Sequence, residues 1–599
     1  MTSPQVPQKY DVLAKQWQAP RVDLMSDPPD PELLTRMSHH VALRVGWTPW
    51  RREGDTIIVA TTVPPDKSVG EVARELYGTE HVEFRTTTPR DLWRSVQQGY
   101  RELLLYEAQD RLATLRPYAS ARAGLTRWQK RVPLTILLLT ATTAALNPWT
   151  AVVVILAAAN LLFASSILFK TVAALLVPVR NWRLTRNRQA EMKERARRSL
   201  SPVWHLHIDD ADLPVYTVLI PVYKEANVIA RILANVETLD YPRSKLDVML
   251  LLEADDVETI AAATALNPPD HVRLIVVPPG KPQTKPRACN YGLSFARGSY
   301  VVIYDAEDRP DPQQLRVAAA AFARDSLERM HGLSRKPPLA VVQASLSFYN
   351  ADYNVLTRMF AIEYAHWFEA MLPGMEEAGL PLPLGGTSNH FDTETLRLMG
   401  GWDPYNVTED ADAGLRVSVL GYRVAVIAST TWEEACSELP AWIHQRTRWV
   451  KGYIITAGVN TRHPIRFVRC TGPRGVVSII GLIAATPIAF LSYPLALGFT
   501  VATYVGVQFI GLVLPSWVVV TSVITFLFGN ALMIISSGIA ATSRYNWRIG
   551  VFAIFGPVYW LLHGIAAWRA VFQVVRDPHR WEKTPHGLSE DYESDSARV

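Results

Sequence analysis

Three long stretches of this 599-residue chain contain no Asp, Glu, Lys or Arg, namely residues 132–169, 476–543 and 549–568. They are 38, 68 and 20 residues long, and apolar side chains fill most of each. A membrane-spanning helix needs about 20 apolar residues. The first stretch therefore fits two spans, broken at Asn147-Pro148, the second fits three, broken near Pro494 and Pro515, and the third fits one. The pattern predicts six transmembrane helices.

A basic segment follows the first pair of predicted helices. Residues 180–198 hold eight basic side chains against two acidic ones. By the positive-inside rule this segment and the domain after it lie in the cytosol. An even number of helices on either side places the N-terminal region and the C-terminal tail there too, and the polar first 20 residues predict no secretory signal peptide. Under this count Arg544 and Arg548 fall on the opposite side, against the rule.

The region before the first predicted span alternates strand and helix patterns. Residues 56–63 predict a strand, 68–77 a helix and 82–86 a second strand. Thr88-Pro89-Arg90-Asp91 is typical of a capping box with Pro at the first helical position, opening a long helix to about Leu115. Residues 32–115 are therefore predicted to form a small α/β regulatory-like domain.

The region between the two large apolar blocks has the pattern of a doubly wound sheet. Its apolar strands are predicted at residues 215–221, 246–252, 272–277, 300–304 and 340–344, with helical patterns between them. Strands that alternate with helices form a mostly parallel sheet, and ligands bind beyond the carboxyl ends of its strands. The fourth strand runs directly into Asp305, Glu307 and Asp308. Acids at a strand end are candidates for binding Mg²⁺ or Mn²⁺, which in turn binds a diphosphate.

Charge and cysteine content narrow the class further. Outside the uncharged stretches the chain has about the 25 % of charged residues usual in globular proteins. The net charge of +5 is too small to indicate a nucleic-acid polymer as partner. Three cysteines without a C-x-x-C pattern exclude a disulfide framework and a zinc ribbon.

Several short motifs resemble one enzyme family. They are IPVYKEANVI (220–229), LLLEADDVET (250–259), KPRACNYGL (285–293), YDAEDRPDP (304–312), GGTSNHF (385–391), VTEDADAGLRV (407–417), QRTRW (445–449) and the bacterial-type tail WEKTPHGL (581–588). Together they resemble the membrane-embedded branch of the family 2 glycosyltransferases, which includes cellulose, chitin and hyaluronan synthases. The resemblance implies a GT-A-like α/β domain inserted between transmembrane helices in a bacterial inner membrane.

The resemblance assigns roles to the acids. Asp305 and Glu307 match the family's D-x-D metal site, with Glu in place of the second Asp and Asp308 as an alternative ligand. Asp410 matches the catalytic base of the T-E-D motif, which would accept the proton of the acceptor hydroxyl. An N-cap of the following helix is its structural alternative. Glu409 is expected to support Asp410.

The resemblance also suggests binding residues. Pro221, Glu225, Glu253, Asp255, Lys285 and Asp305 are expected around the nucleotide sugar, with either Glu253 or Asp255 touching the base and Lys285 facing the diphosphate. The acceptor and phosphate side is expected to hold Gly386, Gln445, Arg448 and Trp449. Arg448 suits a phosphate and Trp449 offers a flat face for a sugar ring.

The implied function is inverting transfer from UDP-glucose to a growing β-linked exopolysaccharide that leaves through the helices. The alternatives are transfer of one sugar to a lipid and an inactive regulatory homologue. A periplasmic export partner is a further expectation. The segment RREGDTIIVATTVPPD resembles N-terminal domains of type II secretion ATPases, some of which bind cyclic di-GMP, although the R-L-G-x-x-L pattern for that binding is missing.

The resulting division of the chain is a flexible N-terminus (1–31), the regulatory-like domain (32–115), a transmembrane hairpin (132–179), a basic linker (180–211), the GT-A domain (212–460), an interfacial connection (461–475), a bundle of about four helices (476–571) and a cytosolic tail (572–599).

Overall fold

The computed structural model describes residues 6–197, 208–509 and 515–577. The tail motif at 581–588 and part of the basic linker therefore lie outside the described residues.

The N-terminal unit is a three-stranded sheet covered by short helices. Its strands are β1 (Trp47–Glu53), β2 (Thr56–Thr61) and β3 (His81–Thr86), with β2 antiparallel to β1 and parallel to β3. Its helices are α1 (Val6–Gln16), α2 (Pro31–Leu34), α3 (His39–Val45), α4 (Lys67–Tyr77), α5 (Pro89–Gly99), α6 (Arg101–Gln109) and α7 (Arg111–Leu115). The apolar side chains of β2 and of α4 form its core.

Two details of this unit differ from the sequence prediction. Thr88 caps α5 by accepting a hydrogen bond from the Asp91 amide, as predicted, but the long helix is interrupted at Tyr100 and again at Asp110. The segment predicted to be a flexible N-terminus is structured from α1 onward. Val22 and Leu24 are buried against the sheet, because residues 21–22 pair with the edge at Thr86.

The central domain is built on an eight-stranded mixed sheet, as the doubly wound pattern predicted. Its order is β6-β5-β4-β7-β10-β9-β11-β8. The strands are β4 (Tyr216–Val222), β5 (Leu246–Glu253), β6 (Val272–Val277), β7 (Tyr300–Ile303), β8 (Arg309–Pro310), β9 (Leu339–Phe348), β10 (Asn389–Asp392) and β11 (Arg423–Glu433). Strands β6, β5, β4 and β7 are parallel, and β10 runs antiparallel between β7 and β9. Strands β8, β10 and β11 were not predicted.

Helices flank both faces of this sheet. They are α10 (Ile229–Glu237), α11 (Val257–Ala265), α12 (Lys285–Leu293), α13 (Gln314–Met330), α14 (Val355–Ala365), α15 (Leu372–Glu377), α16 (Thr393–Met399), α17 (Glu409–Val419) and α18 (Leu439–Thr461). A π-helical turn, His366–Met371, joins α14 to α15. Two apolar clusters, one on each side of β4, β5 and β7, fix the sheet edge at which the strands end.

The remaining long helices are apolar. They are α8 (Arg127–Leu146), α9 (Pro148–Arg197), α19 (Pro464–Ser478), α20 (Ala485–Phe509), α21 (Ser516–Arg544), the short α22 (Trp547–Val551) and α23 (Gly556–Arg576). A second π-helical turn, Ile479–Ala484, connects α19 to α20 without a break. By length and composition, four described stretches can cross a membrane: Pro148–Arg186, Pro464–Gly498, Ser516–Arg544 and Trp547–Arg576.

The prediction of six spans therefore requires correction to four for the described residues. Of the hairpin predicted at 132–179, only α9 is among the four stretches, and α8 is not. The 68-residue stretch holds two long helices rather than three, since α20 continues through Pro494 while the break at Pro515 is present. Proline is tolerated inside membrane helices where neighbouring groups pack against the freed backbone. Here α23 packs closely, because a methyl group at Gly564 would lie 2.3 Å from the Pro494 ring. The bundle after the central domain accordingly has three long helical stretches, not about four.

The lower helix count also changes the side of the membrane on which Arg544 is expected. Its Nε donates to the Ser347 hydroxyl at 2.7 Å, and its guanidinium lies 3.6 Å from Glu369. Both partners belong to the central domain. With two helices in the long stretch, Arg544 returns to the side of that domain, and its predicted conflict with the positive-inside rule disappears.

Candidate active site

The acidic side chains of the turn after β7 have two different roles. Asp305 and Glu307 line a cavity, while Asp308 turns inward and is 3 % exposed. Asp308 Oδ2 accepts hydrogen bonds from the Asp305 amide at 2.7 Å and from the Thr387 hydroxyl. Burial, with the charges of Asp305 and Glu307, raises the pKa of Asp308 well above its usual range. Asp308 therefore braces the turn, and Asp305 and Glu307 are the acids that face the cavity.

Lys285 lies opposite this turn at the first position of α12. Its Nζ is 2.5 Å from Asp305 Oδ1 and donates to the Gly386 carbonyl at 2.9 Å. Burial acts to lower the pKa of Lys285, but the nearby carboxylates of Asp305 and Glu409 outweigh it and hold the pKa above its usual value. A fixed ammonium thus stands between two groups of acids.

Glu409 and Asp410 open α17, and both line the cavity. Thr408 occupies the N-cap position, so Asp410 lies in the first turn and the N-cap alternative does not hold. A methyl group at Gly386 would lie 3.6 Å from Asp410 Oδ2, so only a small residue leaves that carboxylate open. Burial and the charge of Asp410 raise the pKa of Glu409 to about 8, and burial likewise raises the pKa of Asp410.

Helix α18 brings the Q-x-x-R-W residues to the same cavity. Gln445, Arg448 and Trp449 all line it. The Trp449 ring stacks on Tyr364 with centroids 5.9 Å apart and an interplanar angle of 29°. Burial lowers the pKa of Arg448, opposed by the charges of Glu409, Asp305 and Asp410. Arg448 is thereby placed within electrostatic reach of both acid groups.

The expected donor residues separate into a cavity wall and a rim. Pro221, Glu225 and Glu253 line the cavity, whereas Asp255 does not. Asp255 accepts hydrogen bonds from the Tyr223 hydroxyl at 3.2 Å and from the Gln283 amide at 2.9 Å.

Of the two acids proposed to touch the base, Glu253 faces the cavity. Its Oε2 accepts a 2.5 Å hydrogen bond from the buried Arg287 guanidinium. Burial raises the pKa of Glu253 to about 7 despite that cation. One carboxylate oxygen is thus fixed by Arg287 at the end of β5.

The cavity is continuous from these acids to the apolar helices and has a volume of about 660 Å³. Its far end is lined by side chains that the sequence motifs did not indicate, including Lys170, Glu363, His366, Phe490 and His563. The sequence could have indicated Lys170, because it is the one charged residue between Pro148 and Val179. No sequence pattern indicates Glu363, because its helix has the composition of an ordinary half-buried helix.

The acidic side chains at the end of the cavity next to β7 are suitable ligands for a divalent cation. The carboxylates of Asp305, Glu307, Glu409, Asp410 and Glu433 line the cavity, with Lys285 and Arg448 as cations among them. Among the described residues Glu433 Oε1 is buried without a hydrogen-bond partner. No three His, Cys, Asp or Glu side chains in the described ranges converge as a complete metal site. Asp305 and Glu307 would therefore share a hard cation with diphosphate oxygens, as Mg²⁺ sites commonly do.

Comparison with protein-family models gives two matches. Residues 214–452 match the model described as glycosyltransferase like family 2, and residues 17–104 match the MshEN domain.

Curated relatives match over the central domain. The chain is 26% identical over 255 residues to a probable glycosyltransferase, YdaM, of Bacillus subtilis, covering 42% of this chain and 57% of the relative. It is 26% identical over 259 residues to the UDP-forming cellulose synthase catalytic subunit of Pseudomonas fluorescens, covering 42% and 32%. A beta-monoglucosyldiacylglycerol synthase of Trichormus variabilis is 24% identical over 247 residues, covering 40% and 49%. The chain thus spans about half or less of the length of most of these relatives.

One solved structure illustrates the range of similar folds. The mannosyltransferase PcManGT of Pyrobaculum calidifontis, in complex with GDP-Man and Mn²⁺, is 19% identical, with a TM-score of 0.38 over 69% of this chain and 99% of that chain.

Proposed function

We propose, from the premise that residues 214–452 of this chain are a glycosyltransferase family 2 domain, that the protein transfers a sugar from a nucleotide diphosphate sugar to an acceptor hydroxyl with inversion. UDP-glucose is the first candidate donor. The acceptor enters from the apolar helices, and Asp305 and Glu307 would hold a divalent cation that would supply positive charge at the leaving diphosphate.

One observation supports this proposal above the others. A single cavity joins the acids after β7, the acids that open α17 and the apolar helices. Donor, base and acceptor thus have a common space, which holds the reacting groups near one another and lowers the entropic cost of their meeting.

Each residue near the diphosphate has a proposed role. Asp305 and Glu307 hold Mg²⁺ or Mn²⁺, which supplies positive charge for the diphosphate oxygens. Lys285 and Arg448 add positive charge beside that position. Pro221, Glu225 and Glu253 form the wall against the nucleotide, and Asp255 supports its rim.

The remaining residues act on the acceptor. Asp410 takes the proton of the attacking hydroxyl, and burial together with the charge of Asp305 raises its pKa, which suits a base. Glu409 beside it supports Asp410. Gly386 leaves room at Asp410, while Gln445 and Trp449 orient the acceptor sugar. The raised pKa of an acid in this position is a general feature of active sites.

Two acceptors remain as candidates. Elongation of a β-linked exopolysaccharide, with export through the helices, is supported by the Q-x-x-R-W residues on the cavity wall. Transfer of a single sugar to a membrane lipid is supported by the apolar lining of its far end. An inactive homologue is disfavoured because the carboxylates, Lys285 and Arg448 all face the cavity.

Further proposals concern location and regulation. We place the central domain and the N-terminal unit in the cytosol at a bacterial inner membrane, with an export partner on the periplasmic side. Three crossings after the central domain put the tail, which the sequence placed in the cytosol, on the periplasmic side. The MshEN match makes cyclic di-GMP a candidate regulator of the N-terminal unit.

The test uses inverted membrane vesicles supplied with radiolabelled UDP-sugars and Mg²⁺ or Mn²⁺. A labelled polymer that a linkage-specific glycanase digests supports the synthase, and a labelled lipid extract supports single transfer. Asp410→Asn should lower product formation about 10²- to 10⁴-fold. The matched control is Asp352→Asn, which alters an exposed acid near Arg358 outside the cavity. Unchanged product yield in Asp410→Asn would contradict the proposal.

A further inference from the structure

Lys170 is the single charged residue between Pro148 and Val179 of α9. This part of α9 lies in a stretch that can cross a membrane, and Lys170 lines the cavity. An ionisable side chain inside such a stretch is costly, and it is retained where it faces a partner or a substrate. The positive charge of Lys170 therefore requires a negatively charged partner in the cavity.

Within the described part of the chain, the acidic side chain whose charge reaches Lys170 is Glu363 of α14. That carboxylate is already engaged. Its Oε2 lies 2.7 Å from the Arg446 guanidinium and accepts a 2.8 Å hydrogen bond from the Tyr559 hydroxyl. One negative charge thus faces two positive ones, so this end of the cavity has an excess of positive charge and favours an anion.

The walls around Lys170 also suit an apolar chain. Leu482, Phe490, Met533 and Ile534 line the same end of the cavity. The two π-helical turns, at 366–371 and 479–484, contribute His366 and Leu482 to the lining. Such turns occur frequently at functional sites. A ligand that joins an anionic group to an apolar chain fits both properties.

We propose that Lys170 binds the phosphate of a lipid-linked acceptor whose sugar hydroxyl reaches Asp410. The inference rests on the proposed function and names its acceptor class. In the transfer, the anomeric carbon forms a bond to the acceptor oxygen and its bond to the diphosphate oxygen breaks. The hydroxyl proton goes to Asp410, the nucleoside diphosphate leaves, and no oxidant or reductant is required.

The test compares two lipids that carry glucose and differ in phosphate. Polyprenyl diphosphate glucose and monoglucosyl diacylglycerol are offered to the full-length protein in phosphatidylcholine vesicles with labelled UDP-sugar. The wild type should use the diphosphate lipid with a KM about 10-fold or more below that of the other. Lys170→Gln should raise KM for the diphosphate lipid alone by about 10- to 100-fold, as expected for a lost charge-assisted hydrogen bond.

Two variants and a competitor complete the design. Lys170→Arg should keep the lower KM, and Arg183→Gln serves as the matched control, since it removes an exposed cation of α9 paired with Glu377. Equal KM values for both lipids in the wild type, or an equal rise for both in Lys170→Gln, would overturn the inference. Inhibition of the wild type alone by millimolar inorganic phosphate would assign the site to free phosphate and would also overturn the lipid source.

A binding measurement separates this inference from the proposed function. Fluorescent polyprenyl diphosphate lipid should be retained by the wild type and by Asp410→Asn, and released by Lys170→Gln. Consumption of UDP-sugar into polymer with equal lipid retention in wild type and Lys170→Gln contradicts the inference alone. Retention lost in Lys170→Gln, with no sugar transfer to any acceptor, contradicts the proposed function alone.

Discussion

The two ends of the cavity differ in the sign of their unbalanced charge. Among the described residues, the end beneath β7 gathers a cluster of carboxylates around Lys285 and Arg448: those of Asp305, Glu307, Glu409, Asp410 and Glu433. At the membrane end, Lys170 and Arg446 lie with the carboxylate of Glu363. An excess of acid favours a cation, and an excess of base favours an anion. The two ends therefore suit ligands of opposite charge, which under the proposed function are a metal-bound donor and an anionic acceptor.

The largest expected effect concerns the ammonium among the acids. Lys285→Gln removes positive charge from the proposed diphosphate position, and a lost charge-assisted contact of about 1.5–3 kcal/mol lowers kcat/KM for the donor about 10- to 150-fold. Steady-state kinetics with varied UDP-sugar measure it. Lys281→Gln, an exposed lysine of the preceding loop, is the control. A change in KM for the lipid acceptor alone, with kcat/KM for the donor unchanged, would contradict the placement of the donor at the acid end.

The next effect tests the membrane end through stability. Glu363→Gln leaves the Arg446 guanidinium and Lys170 without a balancing carboxylate, which we expect to cost about 1–3 kcal/mol of unfolding free energy. The double variant with Arg446→Met should recover part of that loss, since it removes one of the two cations. Unfolding in nanodiscs with denaturant measures both. Additive losses in the double variant would show that Glu363 and Arg446 are not coupled.

The sequence predicted the acid end better than the membrane end, and the reason is physical. Asp305, Lys285 and Asp410 lie in short motifs at strand and helix ends, where local patterns determine position. Glu363 and Arg446 meet across α14 and α18, which are separated by two strands, so no local pattern links them. The helix count failed because Pro494 is tolerated inside a packed helix, an effect of tertiary contacts.

A smaller effect is expected in the pH dependence of stability. The pKa of Glu409 is raised to about 8 in the folded protein from an ordinary value near 4.5. The unfolded chain therefore releases this proton first, so the stabilisation present below about pH 4.5 is lost as pH rises towards 8. Thermal unfolding between pH 5 and 8 should show a falling Tm, and Glu409→Gln should flatten the slope.

Added Mn²⁺ sharpens this prediction. A cation at the acid end favours the ionised carboxylates, so it should raise Tm more at pH 8 than at pH 5. A Tm gain that is equal at both pH values would argue against metal binding by these acids.

The smallest expected effect reaches the acid end from the N-terminal unit. The Asn290 amide of α12 donates to the Ala108 carbonyl of α6 at 3.2 Å and to the Trp402 carbonyl at 2.8 Å. The buried Arg462 guanidinium donates to the carbonyls of Ser120 at 2.7 Å and Gly124 at 3.0 Å. The first of these contacts fixes α6 of the N-terminal unit against the helix that carries Lys285, and the second holds the segment after α7 against the end of α18.

Loss of the hydrogen bond between α6 and α12 should therefore weaken donor binding more than acceptor binding. Asn290→Ala removes the hydrogen bond to Ala108 of α6 and two hydrogen bonds with the Trp402 backbone. We expect KM for UDP-sugar to rise about 2- to 10-fold, since the bond to α6 contributes about 0.5–1.5 kcal/mol. The KM for the lipid acceptor should stay unchanged because Lys170 lies on α9, away from this contact. Ser294→Ala, which removes a 3.2 Å contact from the C-cap of α12 to Glu107 of α6 and leaves the Trp402 contacts in place, should give a smaller rise. An equal change in both KM values would indicate that the N-terminal unit acts on the whole cavity rather than on its donor end.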